Sequence, residues 1–196
     1  GSSVSRGAGI NPAPLGNAFS SNDFTVSGTF TDAVNNNEYL QFAVNAKSGY
    51  QVSLSTLDVN FRRSSTGPNT FQWQYSLDGF ATSGINIGTA ISYTTSPTNG
   101  TAQTQIDLSA ISALQNVTNT TTITLRLYGY GASQLTGTFA FGRLTGNDLA
   151  IGGTVTSSGG PSLTVGTLSN QFGNVCTGTT TNYETFTVSG SNLDGS

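Results

Sequence analysis

A strict alternation of apolar and polar residues between positions 58 and 80 limits the possible fold more than any other part of the sequence. Every second side chain is apolar over residues 59–62 and again over residues 71–76. Because successive side chains of a β-strand point to opposite faces, this period of two predicts two strands, each with one apolar face. Residues 63–70 contain Ser, Gly, Pro and Asn, which favour turns. The stretch is interpreted as an antiparallel β-hairpin with a longer loop.

Trp73, the single tryptophan, lies on the apolar side of the second of these strands. It alternates in phase with Phe71 and Tyr75, whereas the intervening residues are polar. Tryptophan often serves as a stacking surface for ligands, but its phase here predicts a position in the core.

Similar short alternating runs recur along most of the chain. The clearest are residues 38–46, where Leu40, Phe42 and Val44 share one side, and residues 122–130. Roughly nine or ten short strands at regular spacing are typical of an all-β protein made of two antiparallel sheets. We predict a two-sheet antiparallel β-sandwich with jelly-roll topology. An immunoglobulin-like sandwich is the alternative, although it usually has fewer strands.

The composition changes after residue 156, where the sequence reads SSGGPS. We assign residues 1–156 to the sandwich, residues 157–162 to a linker and residues 163–196 to an incomplete second β domain. A segment of about thirty residues with two or three strands cannot bury a core of its own. The chain is therefore expected to be part of a longer multidomain protein, within which it is a monomer.

Charged residues make up only 8% of the chain, about a third of the usual share. Together with abundant Gly, Ser, Thr and Asn, this favours a secreted or cell-surface protein over a cytosolic enzyme. The net charge of −3 and the scattered arginines argue against a nucleic-acid partner, and no apolar run is long enough for membrane insertion. The single Cys176 excludes an internal disulfide, and the absence of His removes the commonest general base.

Three stretches resemble jelly-roll modules of bacterial secreted and cell-surface proteins. They are GYQVSLSTLDVNFRRSSTGPNTFQWQYSLDGF (49–80), TITLRLYGYGASQLTGTF (122–139) and the opening SVSRGAG (3–9). The resemblance implies an architecture like that of carbohydrate-binding modules, next to enzymes or immunoglobulin-like repeats in exported proteins. The segment 163–195 is similar to the first strands of such repeats. Family members often carry adjacent acidic residues before the final strand, where this chain has only Asp148.

The polar sides of three strands form the candidate ligand-binding face. Amides and guanidinium groups match the hydroxyls of sugars, tyrosine rings stack on pyranose faces, and arginine also suits an acidic or sulfated sugar. We expect the strands to share one sheet, or their ends to form a binding edge at the loops. The alternative is an ordinary solvated sheet face. The candidate residues are Asn60, Arg62, Arg63, Gln72, Gln74, Arg126, Tyr128 and Tyr130.

A structural Ca²⁺ is a second candidate ligand. Residues 32–37 form a predicted loop rich in Asp and Asn, and Asp32 and Glu38 flank its ends. Asp148, before the last strand, is a further possible ligand. Carboxylates with backbone carbonyls suit this hard cation, but the same residues also favour simple turns.

The sequence favours a noncatalytic module that binds polysaccharide. Glycoside hydrolysis usually needs two carboxylates across a cleft, and no pair of acidic residues is marked by its spacing. The alternative is a structural or adhesive spacer without affinity for sugars. A concave polar and aromatic surface favours binding, whereas a flat or covered face favours the spacer.

Overall fold

The computed structural model describes residues 3–159, 162–165 and 187–191. Packing divides the chain into two units, Gly1–Thr156 and Ser157–Ser196. In the second unit, β14 and β15 form an antiparallel pair. The strands are β1 Ser5–Arg6, β2 Asn11–Pro12, β3 Ala18–Asn22, β4 Tyr39–Val44, β5 Tyr50–Arg63, β6 Thr70–Ser76, β7 Ile85–Ser92, β8 Thr101–Ala102, β9 Ile106–Asp107, β10 Val117–Thr118, β11 Ile123–Tyr130, β12 Phe139–Gly142, β13 Leu149–Ser157, β14 Ser162–Val165 and β15 Val188–Ser191.

The first unit consists of two antiparallel sheets, which confirms the predicted all-β sandwich. The five-stranded sheet has the order β1-β4-β11-β6-β7. The larger sheet has the order β10-β5-β12-β3-β2, and β8, β9 and β13 also pair with β5. The 14-residue strand β5 therefore organises the larger sheet. The jelly-roll connectivity and the assigned domain boundaries remain predictions, and most of the proposed second domain, with Cys176, lies outside the described residues.

The predicted hairpin between residues 58 and 76 is wrong, because β5 and β6 belong to different sheets. The segment between them crosses from one sheet to the other. It wraps around the guanidinium of Arg63, whose Nε donates to the carbonyl of Pro68 at 2.8 Å and whose Nη2 donates to that of Gly67 at 2.6 Å. Alternation defines the two faces of each strand, but it does not specify the neighbouring strand.

Aromatic side chains from both sheets fill the space between them. Trp73 is 1% exposed and stacks on Phe141, with ring centroids 6.2 Å apart, which confirms its predicted core position. Phe61 from β5, Phe71 from β6 and Phe139 from β12 form a second group of rings, with centroids 4.3–5.1 Å apart. Burial of each such side chain contributes about 1.5–3 kcal/mol of transfer free energy. The buried aromatic side chains therefore hold the two sheets together and leave the outer face of each sheet for other contacts.

A short helix, α1 (Phe30–Asn35), lies where the sequence analysis predicts a loop at residues 32–37. Thr29 caps its first turn, since its hydroxyl accepts from the amide of Asp32 while the Asp32 carboxylate accepts from the amide of Thr29. This reciprocal capping box overcomes the poor helix propensity of the segment. The helix packs on β11, and a 3₁₀ turn at Ser112–Leu114 is the other short helical element of the described chain.

Candidate functional site

The candidate ligand residues do not share one face, so this part of the prediction is wrong. Asn60 and Arg62 lie on β5 in the larger sheet, whereas the candidates on β6 and β11 lie in the five-stranded sheet. Arg63 also belongs to β5, but it is only 6% exposed and donates to four backbone carbonyls. It is therefore a structural residue of the β5–β6 connection.

Two rows of polar side chains cross the outer face of the five-stranded sheet. Arg126 on β11 pairs with Gln41 on β4 and with Gln74 on β6. In the next row, Tyr128 pairs with Tyr39 and with Gln72 on the same two strands. The antiparallel register thus brings together the β6 and β11 candidates and adds two residues of β4.

The guanidinium of Arg126 lies between two aromatic rings. Its Cζ is 3.9 Å from the ring centroid of Tyr39 and 3.9 Å from that of Phe80. Nε donates to Oε1 of Gln41 at 2.7 Å, and Nη1 donates to the hydroxyl of Tyr128 at 3.3 Å. Cation–π contacts of this kind stabilise by about 0.5–1 kcal/mol at exposed sites. The plane of the guanidinium is therefore fixed by the protein.

A cleft of about 370 Å³ opens over these residues, and we call it the Arg126 cleft. The sheet forms its floor, α1 forms one wall, and the loop between β6 and β7 forms the other wall. Floor residues are Gln74, Arg126 and Tyr128; the helical side contributes Phe30, Thr31, Val34 and Asn37; the loop contributes Phe80, Thr82, Ser83 and Gly84.

The loop wall is held in place by two polar side chains. Oγ of Ser76 accepts from the amides of Asp78 at 3.1 Å and Phe80 at 2.8 Å. The carboxylate of Asp78 accepts from the hydroxyls of Ser76 and Thr82, each at 2.6 Å. These hydrogen bonds, that from Ser76 foremost, lower the pKa of Asp78 to about 2. The loop is thereby organised before any ligand binds.

Phe80 has a backbone conformation that bulky residues rarely adopt. Its φ is +65°, in the left-handed region, which costs roughly 1–2 kcal/mol for an L-residue with a side chain. The loop hydrogen bonds hold it there, and its half-buried ring covers Arg126. Backbone strain of this kind is concentrated at binding and catalytic sites.

The remaining candidates on this sheet have partly structural roles. Gln72 is 5% exposed, and its amide donates to the carbonyls of Trp73 and Ile87 beside a register shift between β6 and β7. Tyr128 is 2% exposed, and burial raises its pKa, although the hydrogen bond from Arg126 acts in the opposite direction. Tyr130 is half-buried, and burial raises the pKa of its hydroxyl as well.

The three candidate calcium ligands take part in separate hydrogen-bond networks. Asp32 caps α1 through Thr29, and Glu38, 2% exposed, accepts from the amide and the hydroxyl of Thr25. Asp148 accepts from the side chain of Asn60 at 3.0 Å and from two backbone amides of its own loop. Within residues 3–159, 162–165 and 187–191, the structure contains no group of three or more His, Cys, Asp or Glu side chains placed to hold a metal ion. Calcium binding stays an untested prediction.

Sequence reasoning found Gln74, Arg126 and Tyr128 but missed the other aromatic residues around them, Phe30, Tyr39 and Phe80. Phe30 belongs to the unpredicted helix, and Phe80 belongs to a turn that has no periodicity. Tyr39 alternates with the apolar Leu40 and Phe42 in residues 38–46, but the sequence does not say that this strand pairs with β11. The Asp-Gly dipeptide before Phe80 was the one available signal, since it marks a tight turn that presents the next side chain.

Comparison of the chain with protein-family models, curated proteins and solved structures finds no match. None of the helices within the described residues has the length and apolar character needed to span a membrane. The functional conclusion therefore depends on the geometry of the Arg126 cleft.

Proposed function

We propose that this chain is a noncatalytic module that binds polysaccharide in the Arg126 cleft and belongs to a secreted or cell-surface multidomain bacterial protein. One observation carries the proposal: aromatic rings and planar polar groups converge on a single cleft. Phe30 and Phe80 are half-buried on opposite walls, while Arg126 and Gln74 lie on the floor between them. Sugars have apolar C–H faces and hydroxyl-bearing edges, which match these two kinds of group.

A binding role without catalysis accounts for the residues that line the cleft. Hydrolysis of a glycosidic bond usually employs two carboxylates placed across the sugar, whereas the residues lining this cleft include neither Asp nor Glu. The pre-formed loop and the fixed guanidinium favour recognition, because little conformational entropy remains to be lost when a ligand binds. The low charge and the resemblance to exported modules support the proposed location.

Affinity electrophoresis of the whole chain against neutral, acidic and sulfated polysaccharides tests this proposal. At least one polymer should retard the protein, and Phe80→Ala should reduce the retardation by about tenfold in apparent affinity. Arg62→Ala is the matched control, because Arg62 lies on the other sheet and should not affect binding. If no polymer retards the protein, or if Arg62→Ala weakens binding as strongly as Phe80→Ala, the cleft is not a sugar site.

A structural or adhesive spacer remains the second candidate, and a specific observation favours it. Several polar groups of the cleft floor are satisfied internally: Gln74 and Tyr128 are 7% and 2% exposed, and Nε and Nη1 of Arg126 have protein acceptors. A spacer would use the arginine only to attach the loop to the sheet. In that case Phe80→Ala would lower stability without changing retardation by any polysaccharide.

A further inference from the structure

Arg126 is the only charged side chain among the residues that line the cleft in the described part of the chain. The acidic residues nearest in sequence to the two walls are Asp32, Glu38 and Asp78, and each accepts hydrogen bonds from residues close to it. Glu38 accepts from the amide and the hydroxyl of Thr25. Asp32 accepts from Thr29 at the start of α1, and Asp78 accepts from Ser76 and Thr82. The cleft therefore holds one positive charge on a chain whose net charge is −3.

The hydrogen-bond partners of Arg126 are neutral. Gln41 accepts from Nε and Tyr128 accepts from Nη1, and within the described residues no acceptor is bound to Nη2. Both faces of the guanidinium are covered by the rings of Tyr39 and Phe80, so that its edge is the part left for a ligand. Nη1 has a second N–H group, so the edge formed by Nη1 and Nη2 can offer two parallel hydrogen bonds to the two oxygens of a carboxylate.

We infer that the ligand of the Arg126 cleft is an acidic polysaccharide, in which the carboxylate of a uronic acid residue binds the guanidinium of Arg126. This inference depends on the proposed function and specifies its ligand class. The stacked rings hold the guanidinium plane in one orientation, so that a planar carboxylate can bind along its edge between the two rings. Gln74 lines the cleft but is only 7% exposed; its Nε2 donates to Asn86 at 2.8 Å, and its carbonyl oxygen is the atom that can accept from a sugar hydroxyl.

A matched pair of polymers tests the inference without any substitution. Polygalacturonate and its carboxyl-reduced, neutral form differ only in the charged group. The acidic form should bind the unmodified protein at least tenfold more tightly in titration calorimetry, as expected for charge-assisted hydrogen bonds. Added salt should lower the affinity for the acidic polymer and leave the affinity for the neutral polymer unchanged.

Two substitutions of Arg126, with a control substitution of Arg62, then assign the preference to Arg126. Arg126→Gln should make the affinities for the two polymers equal, whereas Arg62→Gln, on the other sheet, should keep the preference. Arg126→Lys retains the charge but loses the planar edge, and it should keep only part of the preference. Thermal unfolding of each variant verifies that it is folded.

The outcomes separate the inference from the proposed function. Equal affinity for the acidic and the neutral polymer overturns the inference and leaves the sugar-binding proposal standing. Tighter binding of dextran sulfate than of polygalacturonate also overturns it, because the assignment is to a carboxylate. Failure of every polysaccharide to bind overturns both.

Discussion

Arg126 on β11 and Arg62 on β5 both lie on the polar side of an alternating strand, but their surroundings differ. Each is a polar residue of an alternating run. Arg126 has glutamines at the paired positions of both neighbouring strands and aromatic rings on both faces. Arg62 pairs with Ala140, and its Nη1 donates to the hydroxyl of Thr138 at 3.1 Å.

The neighbouring strands, rather than the strand itself, therefore determine what an outward arginine can do. Amides and rings at the paired positions orient the guanidinium of Arg126 and build a cleft around it. A small neighbour such as Ala140 gives Arg62 no such support. Arg63, the next residue along β5, shows a third outcome, since its side chain is enclosed by backbone carbonyls.

The largest effect is expected for Arg63→Ala. The change removes donors from the carbonyls of Pro68, Gly67, Ser65 and Thr94, of which those of Pro68 and Gly67 are buried. Because buried acceptors without donors are costly, the free energy of unfolding should fall by about 3 kcal/mol or more. Denaturant unfolding followed by tryptophan fluorescence measures it. A loss below about 1 kcal/mol would contradict the structural role of Arg63 and reopen its role as a ligand residue.

Phe80→Gly should separate binding from stability. Glycine adopts a φ of +65° without strain, so the substitution relieves roughly 1–2 kcal/mol of backbone strain. This stabilisation offsets the lost contacts of the ring and the larger conformational entropy that glycine has in the unfolded chain. We expect the free energy of unfolding to change by less than about 1 kcal/mol, whereas the affinity for polysaccharide falls by about tenfold.

Asn17→Gly is the control for this substitution. Its φ is +57°, but it contributes no ring to the cleft, so neither stability nor affinity should change measurably. If Phe80→Gly retained its full affinity for polysaccharide, the ring over Arg126 would only attach the loop to the sheet and would not contact the ligand.

Strands and core positions were predictable from the sequence because alternation is a local signal. Residues 38–46 and 122–130 contain β4 and β11, and the phase of Trp73 placed it correctly in the core. Strand pairing was not predictable, because contacts across a sheet are not local. The loop at 63–70 looked like a hairpin turn, since nothing in its composition shows that it folds around a buried arginine.

The candidate site was predictable only in part, for the same reason. Arg126 and Gln74 were found because both belong to alternating strands. Phe80 was missed because its position depends on the path of a turn, which the hydrogen bonds of Ser76 and Asp78 determine. The helix α1 was missed although Thr29 and Asp32 form a capping box, because the Asn-rich residues that follow favour turns.

Asp78 should make the loop wall of the cleft sensitive to acid. Its pKa is lowered to about 2 from an ordinary value of 3.8, so its contribution to stability is complete above pH 4 and is lost as the pH falls towards 2. Asp78→Asn should abolish this part of the pH dependence while the contributions of Asp32 and Asp107, whose pKa values are also lowered, remain. Denaturant unfolding of both proteins at pH 2–5 measures the difference, and identical acid profiles would count against a structural role of the Asp78 carboxylate.

Arg62→Met should have the smallest effect and bears most directly on the comparison with Arg126. Nε of Arg62 is buried and has no hydrogen-bond partner among the residues that the structure describes, so the arginine incurs a desolvation cost that methionine avoids. The methionine can keep much of the packing of the aliphatic stem. The free energy of unfolding should therefore stay within about 1 kcal/mol of the original or rise slightly. A loss of more than about 2 kcal/mol, or weaker polysaccharide binding, would show that Arg62 has a role that its neighbours do not reveal. The contrast between Arg126 and Arg62 would then no longer hold.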